Sequence, residues 1–223
     1  MSDVKKTALV LGGTGLVGGI CLRQLLESGH YDQVVAVTRR KLQLAHSHLR
    51  NIVSDFSDIE ELMSGVTVDD VFCCLGTTIK KAGSREAFEY VDYELPITFA
   101  RTALAYGARQ FLLVSALGAN ADSFVFYNRV KGRLEKELIA LKFPRTVILR
   151  PSLLDGEREE LRFAETASLW AFKCAAPLLG RMLSGVKPVK ANSVASCLVT
   201  EAQREMAAGE AVLRIDSEAI SRY

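Results

Sequence analysis

Five glycines crowd into eight positions near the start of this chain, within the stretch LVLGGTGLVGGICL (residues 9–22). Two lysines precede it, and a basic start followed by uncharged residues is also typical of a secretory signal peptide. A signal peptide, however, has a continuous apolar core, which glycines at this density would weaken as a helix. We therefore predict a buried strand over residues 7–13, a glycine turn, and a helix over residues 15–30.

The same alternation of short apolar runs with amphipathic segments continues along most of the chain. The predicted strands cover residues 7–13, 33–40, 49–56, 69–77, 110–117, 145–152 and 211–216. The predicted helices cover residues 15–30, 58–65, 86–108 and 126–142. Strands that alternate with helices predict a parallel sheet covered on both faces, which is the doubly wound α/β (Rossmann) fold. Such a fold binds its ligand at the carboxyl ends of the strands.

Length and composition fit one domain. The chain has 223 residues, of which 49% are hydrophobic, and this is ample for a single core. We expect one domain over residues 1–223, in which residues 153–210 contribute a small substrate-side portion. The net charge of +2 comes from scattered basic residues, which argues against a nucleic-acid surface. The apolar stretches are too short or too interrupted for a transmembrane helix, so we expect no membrane partner.

The cysteines and histidines give no sign of a disulfide framework or a metal site. There are five cysteines, without a C-x-x-C motif, and three histidines. Buried thiols in a reducing compartment are the simplest interpretation, and we expect a cytoplasmic protein. Cys73 and Cys74 are adjacent and could form a redox-active pair. Neighbours in a strand point to opposite faces, however, which favours two separate thiols.

The glycine turn has the spacing G-x-x-G-x-x-G, formed by Gly12, Gly15 and Gly18 between the first strand and the first helix. A tight turn there needs a residue that tolerates positive φ, and a pyrophosphate needs a backbone without a Cβ in its path. The helix that follows offers unpaired N–H groups and the positive end of its dipole. The alternative is a turn without a ligand. The context after the first strand favours a dinucleotide site.

The end of the second strand indicates which dinucleotide is bound. Sites that prefer NAD usually carry Asp or Glu there, to bind the ribose hydroxyls. This chain instead has Thr38, Arg39 and Arg40, and guanidinium groups suit a 2′-phosphate. We therefore expect NADP(H) in preference to NAD(H), the alternative being a solvated basic loop. Asp55, after the third strand, is expected to meet the adenine, unless it is an ordinary turn aspartate.

Candidate catalytic residues follow the fifth strand. Tyr127 and Lys131 in YNRVK are one helical turn apart, and Ser115 stands at the end of the fifth strand. A nearby ammonium favours the phenolate and lowers the pKa of a tyrosine, which lets it act in proton transfer. The serine hydroxyl would hold a substrate carbonyl. A Y-x-x-x-K motif alone is common on solvated helix faces, so its position in the predicted fold carries the interpretation.

Together these motifs resemble the short-chain dehydrogenase/reductase superfamily. The segments VFCCLGTTIKKAG, SALGANADSFVFYNRVKGRLEKEL and VILRPSLL are similar to its atypical, NAD(P)-binding and epimerase-like members typified by the Tat-interacting protein. The resemblance implies that Tyr127 is the proton donor and acceptor and that Lys131 binds the cofactor. It also implies cofactor contacts from Gly12, Thr14, Gly15, Leu16, Val17, Arg39, Leu75, Gly76, Thr77 and the backbone after Pro151.

The chain departs from the usual pattern of that superfamily at three places, one of which is Ser115, whose spacing to Tyr127 suits a catalytic serine only approximately. The chain also has Leu75-Gly76-Thr77 where the standard members have N-A-G, and Asp92 where many carry an asparagine. Three functions therefore stay open. They are an NADP(H)-dependent reductase or dehydrogenase for a small carbonyl or alcohol, a non-catalytic NADPH-binding regulator, and, more weakly, a sugar-nucleotide epimerase. An intact Tyr–Lys pair favours the enzyme.

The substrate pocket is expected under residues 153–190, and the sequence leaves its substrate unidentified. The candidate lining residues are Arg158, Arg162, Trp170, Phe172 and Met182, unless the aromatic residues are core and the arginines are solvated. The apolar segment SLWAFKCAAPLLGRML (residues 168–183) could equally form a dimer contact or a lid. Homodimers are common in the superfamily that the chain resembles, and a homodimer is a possible assembly.

Overall fold

The computed structural model describes residues 6–155, 187–204 and 211–223. Seven parallel strands form one sheet in the order β3-β2-β1-β4-β5-β6-β9, and β7 pairs with β8 in a separate two-stranded ribbon. This arrangement confirms the predicted doubly wound sheet. The strands are β1 Thr7–Leu11, β2 Gln33–Thr38, β3 Leu49–Val53, β4 Asp70–Cys73, β5 Gln110–Val114, β6 Arg145–Arg150, β7 Leu154–Asp155, β8 Val189–Lys190 and β9 Val212–Asp216.

Helices connect the strands and cover the sheet. They are α1 Leu16–Glu27, α2 Ile59–Met63, α3 Ile79–Ala82, α4 Arg85–Glu89, α5 Leu95–Ala105, α6 Phe126–Ala140, α7 Ala191–Gln203 and α8 Ser217–Ile220. A π-helical turn, Tyr90–Glu94, joins α4 directly to α5. No helix within the described ranges is long and apolar enough to cross a membrane.

The core lies in two layers, one on each face of the sheet. Ala8 and Val10 of β1 pack with the buried residues of α1 and α7, whereas Leu9 and Leu11 pack with those of α2, α5 and α6. Because both faces of the central strands are covered, these strands are apolar along their whole length. Fully burying one leucine side chain contributes about 1.5–3 kcal/mol, so both layers stabilise the sheet that carries the site.

The adjacent cysteines illustrate the alternation of the two faces. Cys73 belongs to the layer of α2, α5 and α6, and Cys74 packs against the layer of α1 and α7. Both are free thiols. Their placement agrees with the expectation of two separate thiols, because the strand directs them to opposite sides.

Most predicted elements extend further at their carboxyl ends than the observed ones. Residues 69–77 were predicted as one strand, but β4 ends at Cys73, and β5 and β6 likewise end at Val114 and Arg150. Apolar residues continue beyond the ends of the strands into loops at the carboxyl edge of the sheet, where periodicity does not distinguish a strand from a loop.

Helix α7 packs on α1, where Gln24 donates a hydrogen bond to Ser196 Oγ over 3.0 Å.

Candidate functional site

The glycine turn is folded tightly against the end of β4. Gly12 has a φ of +81°, and a Cβ there would lie 2.5 Å from the carbonyl oxygen of Cys74. A Cβ on Gly18 would lie 2.2 Å from the carbonyl oxygen of Gly12, so α1 can approach the turn closely only without a side chain at this position. The Gly15 N–H donates to the Gly12 carbonyl over 2.9 Å and closes the turn. These contacts explain why the spacing requires glycine.

The turn presents the open N-terminus of α1. Gly15 is the N-cap, no side chain caps the helix, and its first turn contains no acidic residue. Thr14 and Gly15 are exposed, whereas Val17 is buried, so the start of the helix is open to the outside. Unpaired N–H groups and the positive dipole end suit an anion. The residues therefore fit a pyrophosphate, with Leu16 and Val17 contributing backbone N–H groups.

The loop after β2 is fixed by one asparagine of β3. Asn51 donates to Thr38 Oγ1 over 2.8 Å and to the Ala36 carbonyl over 2.9 Å. The Thr38 hydroxyl in turn donates to the Arg40 carbonyl over 2.8 Å. Arg39 and Arg40 are exposed, and neither guanidinium has a partner among the residues that the structure describes. The backbone of the loop after β2 is thus fixed by hydrogen bonds, while its two guanidinium groups are free. This arrangement suits the binding of a phosphate monoester at the carboxyl edge of the sheet.

Asp55 lies in the loop after β3 and forms a local turn. Its Oδ1 accepts a hydrogen bond from the Ser57 N–H over 2.9 Å, and this bond lowers the pKa of the carboxyl group. The side chain is exposed. The geometry is that of an Asx turn, in which the exposed carboxylate can accept further hydrogen bonds.

A buried ion pair joins the loop after β4 to α6. Lys131 Nζ lies 2.7 Å from Asp92 Oδ1, and the two side chains are 3% and 1% exposed. Asp92 Oδ2 accepts the backbone N–H of Thr77 over 2.8 Å. A Cβ on Gly76 would lie 3.6 Å from Asp92 Oδ1 and 3.9 Å from Lys131 Nζ, so this glycine lies directly over the pair. One carboxylate thus holds both the candidate cofactor loop and the candidate cofactor lysine.

Asp92 is the site residue that the sequence analysis did not place. It stands in the π-helical turn between α4 and α5 and is buried. The sequence shows it as a departure from the asparagine of many superfamily members, but periodicity does not reveal a π-helical turn. A charged residue inside an otherwise apolar helix face was the available signal, since buried carboxylates are almost always paired.

Tyr127 precedes Lys131 by one turn of α6 and is half-buried, with its ring centroid 5.7 Å from that of Phe88. Burial raises the pKa of Tyr127, Lys131 lowers it and Asp92 raises it, and the net shift is upward. Lys131 thus acts in the expected direction, but the pKa of Tyr127 still lies above its usual value. Burial outweighs the effect of the ammonium, and Asp92 adds a smaller contribution in the same direction as burial. Burial lowers the pKa of Lys131 itself, but the attractions of Asp92 and Tyr127 and the hydrogen bond to Asp92 together raise it.

Ser115 follows β5 and is buried in a different polar network. Its hydroxyl donates to Glu135 Oε1 over 2.5 Å, and Arg150 Nη2 donates to Glu135 Oε2 over 2.5 Å. A hydroxyl has one hydrogen, so Ser115 in this arrangement can accept but not donate a further hydrogen bond. The structure thus brings Tyr127, Lys131 and Asp92 together, while Ser115 is committed to Glu135.

Pro151 closes this edge of the sheet. It is buried, and its carbonyl accepts the Leu117 N–H over 2.8 Å, which ties the loops after β5 and β6 together. The expected pocket-lining residues lie outside the described residues. They are Arg158, Arg162, Trp170, Phe172 and Met182.

Known proteins resemble the chain over most of its length. A family model described as NAD(P)H-binding matches residues 12–168. "Protein FMP52, mitochondrial" of Eremothecium gossypii is 41% identical over 68% of this chain and 68% of its own. "Protein FMP52, mitochondrial" of Candida albicans is 35% identical over 89% of this chain and 88% of its own. These names do not point specifically to the Tat-interacting-protein-like branch.

A solved structure has the same fold. It is an oxidoreductase of the short-chain dehydrogenase/reductase family from Burkholderia thailandensis, with a TM-score of 0.71 at 17% identity, covering 97% of this chain and 93% of its own. At this identity the likeness shows the fold, which is the Rossmann-like fold expected from the alternation of strands and helices.

The comparisons overturn the expected location. Both relatives are named mitochondrial, so the expectation of a cytoplasmic protein is wrong. The glycine density argues against a secretory signal, but it does not distinguish the cytoplasm from a mitochondrial compartment.

The comparisons also show the family of the chain. The NAD(P)H-binding model matches most of the chain, and the two relatives are aligned with more than two thirds of it. The chain therefore belongs to this NAD(P)H-binding family, with a fold of the short-chain dehydrogenase/reductase type.

Proposed function

We propose that this protein is an NADP(H)-dependent oxidoreductase that acts on a small carbonyl or alcohol. The observation that carries the proposal is the cluster of Tyr127, Lys131 and Asp92, which lies beside the loop after β4. That loop also abuts the glycine turn, through the contact of Gly12 with Cys74. A proton-transfer group therefore stands next to a candidate dinucleotide site at one edge of the sheet.

The preference for NADP(H) is supported by the loop after β2. Arg39 and Arg40 project from a backbone that Thr38 and Asn51 hold in place. Guanidinium groups form bidentate, charge-assisted bonds to phosphate, which an NAD ribose lacks. We further propose that the backbone of Gly12–Val17 binds the pyrophosphate. The other proposed cofactor contacts are Asp55 at the adenine, and Leu75, Gly76, Thr77, Lys131 and the backbone after Pro151 towards the nicotinamide.

In the proposed reaction the bound cofactor supplies the hydride. Tyr127 donates its proton to the carbonyl oxygen of the substrate, and Lys131 orients the ribose of the cofactor. Ser115 accepts a hydrogen bond at most, as long as its own proton is directed to Glu135. The carbonyl is therefore polarised by Tyr127 rather than by the serine.

One observation favours a second function. The Ser115 hydroxyl, which the resemblance to reductases would direct at a substrate, is occupied by Glu135. A protein that binds NADPH and reports it to a partner does not need that hydroxyl. The alternative proposal is therefore a non-catalytic NADPH-binding regulator. In either case we propose a mitochondrial location, supported by the names of the relatives.

A screen of aldehydes, ketones and alcohols, followed by NADPH absorbance, tests the proposal. We expect turnover by the native protein and a loss of at least about a hundredfold in Tyr127→Phe, the lower end of what general acid catalysis contributes. The affinity for NADPH, measured by its fluorescence, stays nearly unchanged in this variant. Tyr93→Phe is the matched control, because the Tyr93 hydroxyl bonds Glu137. NADPH binding without any turnover would favour the regulator, and no NADPH binding would contradict both proposals.

A further inference from the structure

Asp92 pairs with Lys131, whose positive charge acts on Tyr127. We propose that Asp92 is a positioning residue, which fixes Lys131 under the loop after β4 and withholds the lysine's charge from Tyr127. Together with burial, this keeps the proton on Tyr127 through the neutral range, and the site is set for carbonyl reduction. Alcohol oxidation, which needs the phenolate, begins only in alkaline solution. This inference rests on the proposed function, since it concerns the tyrosine of that site.

The local backbone gives Asp92 this position. The π-helical turn Tyr90–Glu94 interrupts the helix between α4 and α5 and contains Asp92 as its one buried residue. Single π-helical turns occur frequently at functional sites, because they cost stability and are kept where a side chain must be redirected. Here the redirected carboxylate uses one oxygen for the Thr77 N–H and the other for Lys131. Both contacts reach residues of the proposed cofactor site.

Among the residues that the structure describes, the charges that act on Tyr127 are those of Lys131 and Asp92. Lys131 comes from α6 and Asp92 from the π-helical turn, and Phe88 of α4 contributes an uncharged ring. Cys73 of β4 faces Lys131 and Asp92, and burial raises the pKa of its thiol to about 12, so it adds no charge near neutral pH. Glu89 and Arg133, on α4 and α6, pair with each other over 3.0 Å. Burial raises the pKa of Tyr127 most, and the balance between Lys131 and Asp92 adjusts it.

The consequence for the reaction follows from the proton balance. In reduction the carbonyl carbon gains a hydride from the reduced cofactor, and the carbonyl oxygen takes the proton of Tyr127. The resulting phenolate regains a proton from water. In oxidation the alcohol gives its proton to the phenolate and its hydride to the oxidised cofactor. Because oxidation starts from the phenolate, its rate rises with pH until Tyr127 is fully ionised, whereas reduction starts from the neutral phenol.

The replacement Asp92→Asn tests the inference. Its amide oxygen can still accept the Thr77 N–H, but it carries no charge, so the lysine ammonium acts on Tyr127 unopposed. We expect Tyr127 to ionise at a pH lower by about one unit or more, the size of shift that one close charge produces. The near-ultraviolet absorbance of the phenolate, measured without cofactor, gives the titration. Subtracting the matched Tyr127→Phe proteins isolates this tyrosine from the other five, since the sequence has six.

The matched control is Glu89→Gln, which removes a carboxylate from the neighbouring α4 that pairs with Arg133 instead. We expect it to leave the titration of Tyr127 unchanged. If Asp92→Asn also left it unchanged, the inference would be wrong. If that variant did not fold, the native protein would decide, because we expect its Tyr127 to ionise above the ordinary value of about 10. Ionisation at or below that value would overturn the inference.

The same variant separates the inference from the proposed function. With a substrate in hand, the alkaline rise of alcohol oxidation should move to lower pH in Asp92→Asn by the same interval as the phenol titration. A protein that fails to bind NADPH would contradict the proposed function while leaving the titration test intact. A protein that binds NADPH and turns over, with an unshifted tyrosine, would contradict the inference alone.

Discussion

Ser115 lies in a buried polar network, and its replacement distinguishes a structural role from a direct role in catalysis. Its hydroxyl donates to Glu135, a carboxylate that is 3% exposed and also accepts from Arg150. Ser115→Ala removes a hydrogen bond to a charged group, which costs about 1.5–3 kcal/mol in the free energy of unfolding. We expect that loss in denaturant unfolding, together with a decrease in turnover much smaller than that of Tyr127→Phe. A decrease as large as that of Tyr127→Phe would mean that the serine acts on the substrate.

Arg39 and Arg40 carry the proposed discrimination between the two nicotinamide cofactors. Replacing both with alanine removes the two guanidinium groups that have no partner among the described residues. We expect the dissociation constant for NADPH to rise at least about tenfold, which corresponds to about 1.4 kcal/mol, while that for NADH barely changes. Fluorescence titration with each cofactor measures both constants.

The control for this variant removes two positive charges elsewhere. Arg23 on α1 and Arg50 on β3 are also exposed. Their double replacement with alanine should affect the two cofactors equally. Equal weakening of NADPH and NADH binding by the replacement of Arg39 and Arg40 would refute the assignment of the 2′-phosphate.

At the scale of elements, the strand–turn–helix unit depends on Gly18 more than its place inside α1 suggests. A Cβ there would lie 2.2 Å from the Gly12 carbonyl oxygen, which is backbone and cannot rotate away. We expect Gly18→Ala to displace α1, to cost about 1–3 kcal/mol in the free energy of unfolding and to weaken NADPH binding. Thermal unfolding and fluorescence titration test this. Gly19→Ala is the control, because it lies on the same helix outside the proposed pyrophosphate site and a Cβ there would lie 3.4 Å from the Gly13 carbonyl oxygen.

The sequence predicted the elements well where one physical signal governs them. The turn of Gly12, Gly15 and Gly18 was predictable, because steric limits on the backbone leave few alternatives at that place. The sheet was predictable, because strands buried on both faces must be apolar. The ionisation of Tyr127 was not predictable from the Tyr–Lys spacing. It depends on burial and also on Asp92, which stands 35 positions earlier in the chain and reaches the site through a π-helical turn without a distinct periodicity.

The charge partner of Ser115 was hidden for a similar reason. Glu135 lies on the same helix as Tyr127 and Lys131, and in the sequence it is one of many charges in RLEKEL. Burial of a single glutamate on that helix depends on Arg150 at the end of β6, which pairs with it. Contacts between distant segments, rather than local patterns, thus decide which polar residues are structural. The geometry of the sheet edge has to be known before roles are assigned.

On the scale of the whole molecule, the proposed cofactor site exists only in the folded state. Its parts follow three strands, with the glycine turn after β1, Arg39 and Arg40 after β2, and Leu75–Thr77 after β4. A ligand that binds these loops together stabilises the fold by mass action, by about 2.7 kcal/mol at a concentration one hundred times its dissociation constant. We therefore expect NADPH to raise the midpoint of thermal unfolding, and NADH at the same concentration to raise it less.

The double variant Arg39→Ala, Arg40→Ala tests whether these two arginines cause the difference between the two cofactors in thermal unfolding. If the two arginines bind the 2′-phosphate, the midpoint of this variant should rise equally with NADPH and NADH, because the difference between the cofactors lies in that phosphate alone. Its midpoint without cofactor should stay close to that of the native protein, since both side chains are exposed. A native protein with equal shifts for the two cofactors would contradict the proposed preference. If NADPH and NADH still shifted the midpoint of the variant by different amounts, the 2′-phosphate would be bound by another part of the chain.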